Sequence, residues 1–333
     1  MTTVLVTGAL GNLGQAVLDE LTARGYQLRA LERPNPTTRA RARRYPHVSF
    51  IWGDIADPAT VHAAVPGVDV IVHLAFVIPR LSATGRSSEE DPTWARRANL
   101  GGTQALIAAA QEQPKPPRFL FTSSLHVYGR TMHMPPPRRV NELPSPIEHY
   151  ARHKVLAERL VRTSGLTWSI FRLAAALPVR LITDPGMFDV PLDNRIEFIH
   201  RRDVALAVAN ALETEAAWGR IWHIGGGPEN QLIYRDMVRA IMETIGVGML
   251  PEAAFSPIPY PTDWLDTTES QAVLAYQTRT FARDYLAELN HAVKKWRPFI
   301  RVARPFVRAY LLRQSPYLAR GQVCHWAWGG SQA

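Results

Sequence analysis

The first two-thirds of the chain alternates short apolar runs with stretches whose apolar positions recur every three to four residues. The runs Thr3 to Thr7, Gln27 to Leu31, Val48 to Trp52, Val68 to His73, Arg118 to Thr122 and Thr167 to Arg172 read as strands. Helical patterns separate them, from about Leu13 to Arg24, Ala59 to Val65, Trp94 to Gln111 and Tyr150 to Thr163. Gly25 stands where a helix C-terminal cap belongs. Such alternation predicts a parallel sheet with helices on both faces, and ligands then bind beyond the carboxyl ends of the strands. After Arg172 the pattern becomes irregular. Prolines and loop residues dominate Leu177 to Asn194. A helix at Asp203 to Glu213, a strand at Arg220 to Ile224, a helix at Tyr234 to Ile245 and a helical stretch within Ser270 to Leu289 follow. The division expected is a sheet domain over 1–172, rejoined by 199–224, with a smaller mixed lobe from 173–198 and 225–290 and a tail over 291–333.

The 333 residues are 46% hydrophobic, enough for a large buried core. The chain starts directly on an apolar strand, and no apolar run approaches the roughly 20 residues that span a bilayer. A lone cysteine, Cys324, excludes an intrachain disulfide framework and a cysteine-based zinc cluster. A cytoplasmic protein without a metal is the expectation. The net charge is +9, yet eight basic and no acidic residues lie between Leu289 and Ala333. The high pI therefore belongs to the tail.

Chemistry enters with TGALGNLG, from Thr7 to Gly14, between a strand and a helix. Gly8, Gly11 and Gly14 permit a tight turn, close approach to phosphate and close helix packing. The helix start, with Asn12 and Leu13, offers free N–H groups to a pyrophosphate. Glu32 closes the second strand and suits the adenosine ribose hydroxyls, which favours NAD. Arg33 follows it and would suit the 2′-phosphate of NADP instead. Arg39, Arg41, Arg43 and Arg44 read as a solvated loop. Downstream, FTSSLHVYG places Ser124 at the edge of the fifth strand, and YARHK sets Tyr150 and Lys154 four apart on one helical face. A neighbouring ammonium, together with the positive nicotinamide of the oxidised cofactor, lowers a phenol's pKa from about 10, so Tyr150 can trade a proton while Ser124 orients the substrate oxygen.

Together these strings resemble the extended short-chain dehydrogenase/reductase family, the NAD-dependent epimerase/dehydratase group. GDI at Gly53 to Ile55, HLA at His73 to Ala75, NLGGT at Asn99 to Thr103 and FIHRRDVA at Phe198 to Ala205 add to the match, which covers about the first 225 residues. The resemblance implies a Rossmann-type doubly wound parallel sheet with a smaller, mixed C-terminal substrate lobe, and an enzyme. It implies that Asp54 and Ile55 lie against the adenine and that Leu74 and Ala75 line the cofactor cleft. Ser124, Tyr150 and Lys154 would be catalytic, with Lys154 also holding the nicotinamide ribose. Asn99 would support an active-site water or the backbone. A homodimer through paired helices is usual in the family. Alternative roles are a helix N-cap for Asp54 and a helix-interior polar contact for Asn99.

Two departures narrow the substrate. Dehydratases of the family carry an acidic pair after the active-site Ser/Thr, where this chain has Leu125 and His126. Sugar-nucleotide enzymes show an asparagine three residues after the arginine that stands here as Arg172, where this chain has Ala175. The reading is therefore an NAD(P)-dependent oxidoreductase acting on a secondary alcohol or ketone of a non-nucleotide small molecule. An epimerase with transient hydride transfer and a non-catalytic dinucleotide-binding protein are the alternatives. His126 reads as a packed loop histidine before an extra acid/base. Met187, Phe188, Trp218, Tyr260 and Trp264 either line an apolar pocket or fill the core. In the tail, Arg297, Arg301, Arg304 and Arg308 form one helical stripe beside Trp296, Phe299, Ile300, Ala303, Val307, Tyr310 and Leu311, with Pro298 and Pro305 interrupting. Residues 294–320 thus suit either an anionic membrane surface or packing on the protein itself or on a second subunit; no nucleic-acid recognition motif accompanies them.

Overall fold

The structure is a computed structural model that describes residues 1–79, 86–180 and 184–318. Cys324 and Arg320 lie outside the described residues. The first half runs β1 (Thr3–Thr7), α1 (Asn12–Ala23), β2 (Gln27–Glu32), α2 (Pro36–Ala42), β3 (Ser49–Trp52), α3 (Pro58–Ala64) and β4 (Val70–His73). It continues through α4 (Pro92–Arg96), a wider π turn over Arg97–Gly101, α5 (Gly102–Gln111), β5 (Arg118–Ser124), α6 (His149–Arg162) and β6 (Trp168–Leu173). Then come β7 (Arg195–Glu197), α7 (Arg201–Glu213), β8 (Arg220–Ile224), β9 (Gln231–Ile233) and α8 (Tyr234–Ile245). The chain closes through α9 (Thr268–Leu274), α10 (Leu286–Val293), α11 (Arg297–Val302) and α12 (Arg304–Leu312).

Seven strands form one parallel sheet in the order β3-β2-β1-β4-β5-β6-β8. The order reverses between β1 and β4, so a crevice opens beyond their carboxyl ends. Both faces are covered, as the apolar runs require. Val4 and Val6 face the core shared with α1 and α7, while Leu5 and Ile71 face the core under α3 and α5. A third core lies in the C-terminal lobe, where the antiparallel pair β7 and β9 leads into α8. The chain crosses back from that lobe, since Leu265, Leu274 and Tyr276 are buried in the first core.

Three expectations change. Residues 36–42 are not a solvated loop but a helix, set by a reciprocal cap in which the Asn35 side chain accepts from Thr38 N–H and the Thr38 hydroxyl accepts from Asn35 N–H. Arg39 lies over the Trp52 ring, 4.1 Å from its centroid. The span Ser270 to Leu289 breaks at Ala275, whose φ of 46° ends α9. In the tail, Arg304 and Arg308 do not join an outward stripe. They donate to the carbonyls of Val247, Gly248 and Met249 just past the end of α8. These carbonyls follow a helix C-terminus, where cations are favoured.

Candidate active site

The turn after β1 is built around its glycines. Gly8 has φ +67°, and a Cβ there would meet the Ala75 backbone at 2.9 Å. A Cβ on Gly14 would lie 2.2 Å from the Gly8 carbonyl. The two positions thus bring β1, α1 and the segment after β4 into close contact. No side chain among the described residues caps α1 at Gly11, so its first N–H groups are available to an anion. Asn12 donates to the Ala176 carbonyl at 3.2 Å, tying the turn to the chain beyond β6. Leu13 packs on the core behind the turn.

Glu32 ends β2 beside this turn. Its carboxylate accepts from Leu10 N–H at 2.9 Å and Arg33 N–H at 3.1 Å. Burial raises its pKa, and those hydrogen bonds together with Arg41 oppose the rise. Arg41 reaches the same turn and donates to the Leu10 carbonyl. Arg33 is exposed, with its guanidinium 5.8 Å from the Trp94 ring. Asp54 accepts from Ala56 N–H in the turn before α3, whose N-cap is Asp57. Ile55 packs where a Cβ on Gly102 would clash.

Beneath the cleft floor runs a buried polar chain. Thr7 accepts from Ala75 N–H, and its hydroxyl meets His73 Nδ1 at 2.8 Å. His73 Nε2 meets Thr103 Oγ1, which donates to the Asn99 carbonyl. The tautomer that satisfies every member is neutral, with the proton on Nε2. Burial, then Lys154, pushes the His73 pKa down to about 3, in keeping with that form. Asn99 is fully buried. It accepts from Val77 N–H at 2.6 Å and donates to Val77 O, so it fixes the strand-end segment bearing Leu74 and Ala75. Of its two expected roles, backbone support is the one this geometry provides.

Ser124, Tyr150 and Lys154 meet at the carboxyl end of β5. Lys154 is buried and donates to the Thr122 carbonyl at 2.6 Å. Its Nζ stands 3.6 Å from the Phe76 ring centroid and 5.7 Å from that of Tyr150. Burial lowers the Lys154 pKa well below the usual lysine value, opposed by Glu158. Tyr150 is half-buried and hydrogen-bonded to Ser124. The lowering of its pKa expected of the ammonium and the oxidised nicotinamide together concerns the cofactor-bound site. Burial pushes the phenol up to about 12, against the Ser124 hydrogen bond and with a further push from Glu148. Lys154 Nζ is directed to the Thr122 carbonyl and to the faces of Phe76 and Phe121. In this state Tyr150 is a proton donor.

Glu89 and Phe76 left no mark in the sequence. Glu89 accepts from the backbone N–H of His149 and Tyr150, at 3.0 and 2.9 Å, capping α6 from 60 residues away. Phe76 lies edge-on to Tyr150 at 5.9 Å. His126 is not merely packed. Its Nδ1 pairs with Glu148 at 2.8 Å, and its ring stands edge-on to Tyr150 at 5.8 Å and Tyr260 at 5.6 Å. Arg172 does not face the cleft. It forms a buried pair with Glu158 and donates to the Tyr128 hydroxyl.

Residues 4–178, just over half of the chain, match the model of the NAD dependent epimerase/dehydratase family. The chain belongs to this family. It is 32% identical over 165 residues to 3 beta-hydroxysteroid dehydrogenase/Delta 5-->4-isomerase of Mycobacterium tuberculosis, a match covering 47% of this chain and 41% of that one. It is 29% identical over 221 residues to dTDP-glucose 4,6-dehydratase of Streptomyces antibioticus, covering 61% and 63%. The matches thus span less than two thirds of either relative. A short-chain dehydrogenase/reductase superfamily protein from Agrobacterium tumefaciens, solved with bound NAD, superimposes with a TM-score of 0.72 at 18% identity, covering 92% of this chain and all of that one. The fold is therefore that of the extended short-chain dehydrogenases, and the cleft fits the dinucleotide by which the family is named.

A cavity of about 280 Å³ opens in the C-terminal lobe, lined by Met187, Val190, Met237, Met242, Tyr260 and Tyr285 among others. Of the five residues considered for such a pocket, Met187 and Tyr260 line it. Phe188 is core, Trp218 is buried behind the sheet, and Trp264 donates to the Leu232 carbonyl.

Proposed function

We propose that this protein transfers a hydride between NAD and a secondary alcohol or ketone carried on an apolar, non-nucleotide molecule. The observation that carries the reading is the nearness of the phenol to an apolar cavity, with the His126 ring standing between Tyr150 and Tyr260. Tyr150, His126 and Tyr260 stand in successive edge-on contact, and Tyr260 also lines the methionine-rich cavity. A carbonyl held at Tyr150 would leave its apolar remainder in that cavity. The relatives point both ways, to a steroid and to a sugar nucleotide. Ala175 offers no side-chain amide, and Arg172 is buried against Glu158, which favours the apolar substrate.

When bound, the dinucleotide supplies or accepts the hydride. In reduction, the carbonyl oxygen gains the electron pair of the C=O bond and takes the Tyr150 phenolic proton. Ser124 donates a hydrogen bond to the same oxygen. Lys154 would hold the nicotinamide ribose beneath the site. Glu32, rather than Arg33, would hold the adenosine ribose, because its carboxylate already faces the glycine-rich turn. The test is NADH-linked reduction of ketones of increasing alkyl size. kcat/KM should rise with chain length, and Met237→Trp, which fills the cavity, should cancel the gain for long ketones while sparing short ones. Equal activity on short and long ketones would remove the apolar assignment.

A further inference from the structure

The tail helices present two unlike faces. The inner one is settled: Ile300, Val307, Leu311 and Leu312 pack on the lobe core. The outer one is not. Of the eleven large apolar side chains exposed among the described residues, five lie within one fifteen-residue stretch. They are Trp296, Phe299, Val302, Phe306 and Tyr310, between 56% and 86% exposed. Within α11, Phe299 and Val302 stand three apart, and within α12, Phe306 and Tyr310 stand four apart, so each pair shares one side of its helix, and Trp296 immediately precedes α11. Lys295 and Arg313, both exposed, flank these five at their two ends in the sequence. No acidic residue occurs from Leu289 onward.

We propose that this outer face of α11 and α12 docks the protein on an anionic lipid surface. Aromatic side chains of this kind sit at the boundary between headgroups and acyl chains, and neighbouring Lys and Arg hold the negative headgroups. Charge selects the occupant. A second copy would bring an equally acid-free, basic stretch against the first. The remaining residues 319–333 add Arg320 and no acid, so they offer the face no charge partner. Because Arg304 and Arg308 are engaged by the carbonyls past α8, the helices are held flat against the lobe, with the apolar edge outward. No helix among the described residues is long and apolar enough to cross a membrane, so the contact is peripheral.

The experiment is co-sedimentation of the full chain with phosphatidylcholine vesicles, with and without phosphatidylserine. Binding is expected only with phosphatidylserine and should weaken as salt shortens the Debye length from about 10 Å to about 3 Å. Phe299→Ser combined with Phe306→Ser should weaken binding at least about tenfold. Lys295→Glu combined with Arg313→Glu should abolish it. Retained NAD binding by each variant shows that the fold is intact. Failure of the full chain to bind phosphatidylserine vesicles at low salt overturns the proposal. So does unchanged binding by the Phe299/Phe306 variant, or a sedimentation-velocity dimer that this variant dissociates.

Discussion

Tyr150 is where burial and charge compete, and burial wins in this state, pushing the phenol up to about 12. Tyr150→Phe removes the transferable proton, so turnover should fall by about 10²- to 10⁴-fold while dinucleotide binding persists, as titration of the variant would show. Wild-type turnover in that variant would end the assignment. Glu32 decides cofactor choice. Glu32→Ala should weaken NAD about tenfold, the worth of a hydrogen bond to a charged group, with NADP unaffected or tighter. An unchanged preference in parallel titrations would sink that role. At this scale the sequence is legible where chemistry needs a fixed spacing. Tyr150, Lys154, Ser124 and the glycines stand in strings whose order along the chain marks them. The rise of the Tyr150 pKa could not be read there, because its first cause is burial, which depends on how the chain packs around the phenol.

Among elements, α6 carries both Tyr150 and Lys154, and its first turn is held by Glu89 rather than by a residue of its own. Glu89→Ala should lower kcat about tenfold, since the first turn that aims the phenol loses its anchor, with cofactor affinity little changed. A normal kcat would leave Glu89 as an ordinary surface acid. The β1 turn is less forgiving. Gly14→Ala forces a methyl against the Gly8 carbonyl, and should cost about 1–3 kcal/mol in a urea titration and reduce NAD binding. Periodicity placed β1, β8 and α8 at their observed limits, because long apolar patterns bounded by turns report burial directly. It missed α2, whose helix rests on the Asn35–Thr38 cap rather than on an apolar stripe, and it missed the three-residue strands β7 and β9. The Glu89 cap joins segments 60 residues apart and has no local signature.

Over the whole molecule, buried ionisable groups set the pH response. His73 and His223 are held down to about 3 by burial, so the fold keeps both neutral. Each opposes stability as pH falls below about 6.5, where the unfolded chain takes up the proton first, and the loss is complete near about 3. Glu197 acts in the opposite sense. Its pKa, raised by burial to about 7, makes the folded state take up its proton first as pH falls from 7. Relative to the wild type, His73→Gln should therefore flatten the fall in stability between pH 7 and pH 5 by about 2 kcal/mol, read from urea midpoints. An identical slope would mean that His73 is not held neutral. The cavity, the ring contacts between Tyr150 and Tyr260 and the aromatic outer face of the tail are all properties of assembly. Sequence offers their residues but not their grouping: of five apolar candidates, only Met187 and Tyr260 reach the cavity.

The central claim is net hydride transfer at Tyr150 to an apolar ketone. The most direct measurement is incubation of the protein with NADH deuterated at the transferable C4 position and a long-chain ketone, followed by mass analysis of the product. One deuterium at the new carbinol carbon, absent with Tyr150→Phe, is the result expected. Unconsumed NADH with every ketone, together with tightly retained NAD and interconversion of a sugar nucleotide, would contradict the account and return the protein to epimerase chemistry.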